Sequence, residues 1–211
     1  EMSASLVGSE MCIRDRVCYI NSTAEIKSWS DVCVTSANAV QIVRNLPNQD
    51  ILFIPDKNLG RYVASQVPEK HVMLVKGCCP VHDQMSQKEV SGLKKIHPNA
   101  LVLAHPECNA QVLEMADYIG STTGILKYAA GSTSREFIIC TEIGVRHELE
   151  QQNPDKQFYF PDTEPICRDM KKITLDKIIH VLRTGQNQAF VPEAYVPSAG
   201  RALEQMLKLA R

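Results

Sequence analysis

The sequence has no apolar run near the ~18 residues that a membrane span requires, so no transmembrane segment is expected. It shows no basic stretch followed by an apolar core, so no secretory signal is expected and the reading is cytoplasmic. The formal charge is only −1, which supplies no field of one sign, and nucleic acid is not an expected partner. There is no CxxC pair and no closely spaced pair of histidines, which argues against a structural zinc site. What remains, 44% hydrophobic and 22% charged over 211 residues, is ordinary globular composition, enough for one large domain or two small ones.

Cysteine, by contrast, is plentiful. The eight thiols, Cys12, Cys18, Cys33, Cys78, Cys79, Cys108, Cys140 and Cys167, have no compact knottin-like spacing. Without an export signal, metal ligation or reactivity is a better expectation than a disulfide framework. Cys18, Cys33 and Cys140 sit inside apolar runs and read as core residues.

The most informative stretch is Leu101-Val102-Leu103-Ala104-His105-Pro106-Glu107-Cys108. Four apolar residues in a row suit a strand buried on both faces of a parallel sheet. A base, a carboxylate and a thiol then follow at its C-terminal end, where open α/β sheets place their chemistry. The same rhythm runs along the chain. Strands are expected near 17–20, 32–34, 51–54, 72–75, 101–104, 118–119, 137–140 and 158–160, with helical segments between them. Ser36 and Thr122 are expected at helix N-termini, where a substrate anion would meet unpaired N–H groups. Amphipathic helices are expected over 174–183 and 198–209. Residues 1–16 show no periodicity, resemble a translated linker and are left out of the fold, Cys12 with them.

A repeat lies within the pattern. Tyr19-Ile20-Asn21 aligns with His105-Pro106-Glu107, Thr35-Ser36 with Ser121-Thr122, and Pro55-Asp56 with Thr141-Glu142, each at an offset of 86. Cys79 aligns with Cys167 at an offset of 88. The expected fold is therefore α/β: two repeated three-layer αβα domains with short parallel sheets, related by pseudo-rotation, over 17–82 and 83–170, followed by C-terminal helices over 171–211. Asp56 and Glu142 also match, and helix capping alone accounts for both. One cysteine from each copy suggests a soft metal centre, with Glu107, His105 and Tyr19 able to move protons beside it.

Taken together, Tyr19-Ile20-Asn21, Thr35-Ser36-Ala37-Asn38, Pro55-Asp56-Lys57-Asn58-Leu59-Gly60, Gly77-Cys78-Cys79-Pro80-Val81-His82, His105-Pro106-Glu107, Gly120-Ser121-Thr122 and Cys167-Arg168-Asp169-Met170-Lys171 resemble the quinolinate synthase family from about Val17 to the C-terminus. The resemblance implies an enzyme of de novo NAD synthesis that condenses iminosuccinate (iminoaspartate) with dihydroxyacetone phosphate to give quinolinate, phosphate and water. It implies three similar αβα domains around a pseudo-threefold axis, and a [4Fe–4S] cluster held by one cysteine from each. L-aspartate oxidase is the supplier of iminosuccinate that it suggests.

Carried over residue by residue, Cys79 and Cys167 are two of the three cluster ligands, with Cys79 preferred to Cys78. Glu107, His105 and Tyr19 take catalytic roles, and Tyr19, Asn21, Ser36, His105, Glu107 and Thr122 face the substrate. The family's first domain has no counterpart here, nor does its cysteine. On this reading the chain is an incomplete fragment, inactive alone. Two other readings stand beside it: a non-catalytic αβ module that binds a small phosphorylated ligand or a partner domain, and a zinc protein using the same thiols.

Overall fold

The computed structural model of the chain describes residues 14–163 and 165–211; Cys12 lies outside them. The chain divides into two compact units, Glu1–Cys79 with Pro106–Ala110 and Glu193–Arg211, and Pro80–His105 with Gln111–Pro192.

In the first unit β1 (Arg14–Tyr19), β2 (Val32–Val34), β3 (Asp50–Ile54) and β4 (His71–Leu74) form one parallel sheet in the order β2-β1-β3-β4. Helices α1 (Ala24–Ser28), α2 (Ala39–Asn45) and α3 (Lys57–Gln66) make the connections. β2 is apolar and buried throughout, as a strand covered on both faces must be. Ile42, Ile51, Phe53, Leu59 and Val17 are fully buried in its core. β1 opens at Arg14, not at Val17, because Arg14–Arg16 pair with Asp50–Leu52 of β3. Arg16 is fixed by Asp31, which accepts from its backbone N–H and its guanidinium at 2.8–3.0 Å.

The second unit starts with α4 (Pro80–Asp83) and α5 (Gln87–Ile96). Its strands β5 (Leu101–Ala104), β6 (Tyr118–Ile119), β7 (Glu136–Cys140) and β8 (Gln157–Tyr159) form a second parallel sheet in the order β6-β5-β7-β8. They are joined through α6 (Ala110–Leu113), α7 (Thr122–Gly131), a 3-10 turn at Ile143–Val145 and α8 (Arg146–Gln152). Phe137, Leu103, Ile125, Ile139 and Leu149 are fully buried at the centre, each side chain contributing about 1.5–3 kcal/mol by leaving water. After a 3-10 turn at Met170–Lys172 comes α9 (Leu175–Thr184). Last, α10 (Val196–Leu209) buries Ala202 and Met206 in the core of the first unit.

The expected duplication is present down to the register. Cys18 pairs with Cys33 and Ile54, and Ala104 with Ile119 and Cys140, all at an offset of 86. Asp50 pairs with His71 and Glu136 with Gln157, so the offset holds into the fourth strand of each sheet. Single hydrogen bonds repeat too. Arg16 N donates to Asp31 Oδ2 and Val102 N to Asp117 Oδ2, both at 2.8 Å. The two extra residues before Cys167 therefore lie in the loop that leaves β8.

Candidate functional site

Parallel strands release their loops from one edge of the sheet, and there the chemistry-bearing residues gather. In the first unit Tyr19 ends β1 and is buried. Burial pushes its phenol well above the ordinary range; the negative charges of Glu107 and Asp56 push the same way, and the Ser36 hydroxyl opposes them. At neutral pH Tyr19 is therefore a neutral O–H donor with carboxylates in its neighbourhood. Glu107 is buried in the short segment Pro106–Ala110. Asn58 Nδ2 anchors that segment by donating to the Glu107 carbonyl at 3.0 Å, and Arg61 donates to Asn58 Oδ1 at 3.2 Å. The Cys79 thiol and a Glu107 carboxylate oxygen come within 4.8 Å, a donor pair able to share a metal.

The loop carrying Cys79 is held by its backbone. Lys57 N donates to Gly77 O at 2.7 Å, and a Cβ on Gly77 would run into the Pro55 carbonyl oxygen. Glycine is thus required there for close approach of two backbones. Asp56 caps α3 with one oxygen, Oδ1 accepting from Asn58 N at 2.9 Å and Leu59 N at 2.8 Å. Its other oxygen accepts from Cys79 N at 2.7 Å. Burial raises the Asp56 carboxyl, the Glu107 charge adds to that, and the three amide bonds oppose both.

The second unit has the equivalent loop. Cys167 is half-buried, and its N–H donates to Glu142 Oε1 at 3.1 Å, while Oε2 accepts from Gly144 N at 2.6 Å. Ile143 N donates to Pro165 O at 2.9 Å, the counterpart of the Lys57–Gly77 bond. Lys171 Nζ lies 3.2 Å from Glu142 Oε1. Burial would raise the Glu142 carboxyl, but the Cys167 and Gly144 amides together with Lys171 hold it below its usual range. In the same unit His105 is buried, and its N–H donates to the Cys140 carbonyl at 3.0 Å. Its ring stacks on buried His82 with centroids 4.6 Å apart, and His82 Nε2 is 3.1 Å from Thr141 Oγ1.

Of the residues singled out from sequence, the first unit brings together Tyr19, Ser36, Cys79 and Glu107. Asn21 lies exposed in the bend after β1. Ser36 is not at a helix N-terminus. α2 starts at Ala39, whose N–H bonds to Thr35 O, so Ser36 sits in the preceding turn. Thr122 is the exposed first residue of α7; Ser121 makes the cap, accepting from Gly124 N at 3.2 Å. Cys79 is the half-buried member of its pair and Cys78 the exposed one. Cys18, Cys33 and Cys140 are core residues, and burial pushes the Cys140 thiol up to about 12. Sequence reasoning missed Asn58 and the second bonds of Asp56 and Glu142, although all three residues lie at or next to the repeated strand-end stations.

Two half-buried thiols, each on a backbone-clamped loop after the fourth strand of its sheet, are soft donors of the kind that suit an iron–sulfur cluster. The family model described as "Quinolinate synthetase A protein" matches residues 8–208. The chain belongs to the quinolinate synthase family. A quinolinate synthase of Clostridioides difficile is 45% identical over 194 residues. Those of Caldicellulosiruptor saccharolyticus and Aquifex aeolicus are 47% and 43% identical over 194 and 199 residues. Each match covers 92% of this chain but only 64%, 64% and 62% of the relative, so the chain spans under two thirds of the length of these quinolinate synthases. Among the described residues no helix is long and apolar enough to cross a membrane.

Proposed function

We propose that this chain supplies two of the three αβα units of a quinolinate synthase, the enzyme that condenses iminosuccinate with dihydroxyacetone phosphate to quinolinate. The observation that carries the reading is the approach of the Cys79 thiol to the Glu107 carboxylate beside a neutral, buried Tyr19. Family membership and the matching loop at Cys167 support it.

On this reading Cys79 and Cys167 hold a [4Fe–4S] cluster, with a third thiolate coming from the length of the relatives that this chain does not match. When bound, such a cluster with one iron open supplies a Lewis acid for loss of a substrate hydroxyl. The remaining chemistry falls to side chains. Glu107 takes and returns protons at its carboxylate, held in place through the Asn58 bond to its own carbonyl. Tyr19 donates from its O–H, which burial and nearby negative charge keep protonated. Ser36 and Thr122 hold the anionic groups of the substrate, and His105 and Asn21 face it.

The test is anaerobic. The 211-residue chain, and the same chain joined to the unmatched remainder of the C. difficile relative, are loaded with iron and sulfide and assayed for quinolinate. The joined protein is expected to make quinolinate and the chain alone to make none. Glu107→Gln is expected to lower kcat of the joined protein by about 100-fold or more, the usual weight of a lost acid–base group. Undiminished turnover by Glu107→Gln would overturn the assignment.

A further inference from the structure

The strand-end carboxylates Asp56 and Glu142 do more than a helix cap needs. A cap requires one acceptor oxygen aimed at the first turn, and a hydroxyl suffices. This chain uses hydroxyls for that purpose elsewhere: Thr23 caps α1, Ser86 α5, Ser121 α7 and Thr174 α9. Carboxylates stand at the two repeat-related positions where a cysteine amide must also be satisfied. Each divides its oxygens in the same way. Asp56 gives Oδ1 to α3 and Oδ2 to Cys79 N. Glu142 gives Oε2 to the turn at Gly144 and Oε1 to Cys167 N. The arrangement survives a two-residue length difference in the loops and a one-methylene difference in the side chains. The second edge of each loop is pinned alike, by Lys57 N on Gly77 O and by Ile143 N on Pro165 O.

We propose that Asp56 and Glu142 are paired positioning residues that fix the backbones of Cys79 and Cys167 and so set the presentation of the two thiols. Neither needs to touch a bound group. Each acts through the N–H of its cysteine, a charge-assisted bond that a hydroxyl or an amide at the same place would not reproduce. The proposal rests on the reading of these cysteines as ligands for its purpose, but the clamp itself can be measured without any metal.

Asp56→Ser keeps a good helix cap and removes the second oxygen; Glu142→Gln keeps length and shape but loses the anion. The full chain, free of iron, is treated with iodoacetamide, and alkylation is followed cysteine by cysteine by mass spectrometry, alongside circular dichroism. Asp56→Ser is expected to change the Cys79 rate by about tenfold, the scale of one lost charge-assisted hydrogen bond, and to leave Cys167 unchanged. Glu142→Gln is expected to do the reverse, and both are expected to keep the native helix signal. Restoring the acid as Asp56→Glu or Glu142→Asp is expected to bring the rate part of the way back. Unchanged rates, or both cysteines loosening together in either variant, would overturn the clamp. Iron loading of the same variants, each joined to the unmatched remainder of the C. difficile relative that brings the third thiolate, separates the two ideas. Shifted alkylation with no iron bound by the joined wild type leaves the clamp and removes the ligand role. Unshifted alkylation with normal iron loading does the opposite.

Discussion

Gly77 is where a single atom decides most. Its backbone lies against the Pro55 carbonyl, and its own carbonyl takes the Lys57 N–H. Gly77→Ala forces the cysteine loop and the end of β3 apart, an overpacking change that costs about 1–3 kcal/mol. The expected outcome is a lower thermal midpoint with the helix content intact; an unchanged midpoint would mean that the loop has slack. Residue types told less than residue partners at this scale. Asp56 and Glu142 are readable as caps, and they are caps, but a carboxylate's second oxygen leaves no mark in a sequence. Asn58 is equally mute, since its work is a bond to a carbonyl 49 positions away.

Among the elements, α5 carries the clearest electrostatic signature. Ser86 and Glu89 form a reciprocal capping box, and Glu89 also accepts from the Thr163 backbone N–H at 2.9 Å and from its hydroxyl. Burial works against the charged form, yet the Thr163 and Ser86 bonds hold the Glu89 carboxyl at about 2. The folded value is below the unfolded one, about 4.3. The stabilisation is therefore complete above pH 4.3 and is lost as pH falls toward 2. Glu89→Gln is expected to be less stable than the parent at pH 7 and to lose less between pH 5 and 2, as read by urea unfolding at stepped pH. Parallel pH curves for the two proteins would contradict the assignment. Ser86→Ala is expected to cost about 1 kcal/mol. The alternation of apolar runs with helical segments was legible because buried parallel strands are apolar on both faces. The start of β1 was not: Arg14-Asp15-Arg16 has no apolar pattern, and only pairing with β3 makes it a strand. Ser36 stands outside helix α2 for a related reason, since the helix is started by the Thr35 carbonyl and not by a side-chain cap.

For the whole molecule, the duplication was the most legible feature, because polar landmarks at a fixed offset survive in sequence and reappear as identical strand order and register. What the relatives add is length, since the matched region is only 64% of the C. difficile protein. Helix α9 buries none of its residues, and Leu175, Ile178, Ile179 and Leu182 lie along one side, so an apolar face stands open to water. The proposed function depends on the two equivalent loop cysteines acting as metal donors. The most direct test is iron bound, after anaerobic loading with iron and sulfide, by the chain joined to the unmatched remainder of the C. difficile relative, compared among Cys79→Ser, Cys167→Ser and the core control Cys140→Ser. Loss of iron in the first two and retention in the third is the result predicted; iron held equally well by Cys79→Ser and Cys167→Ser would contradict it.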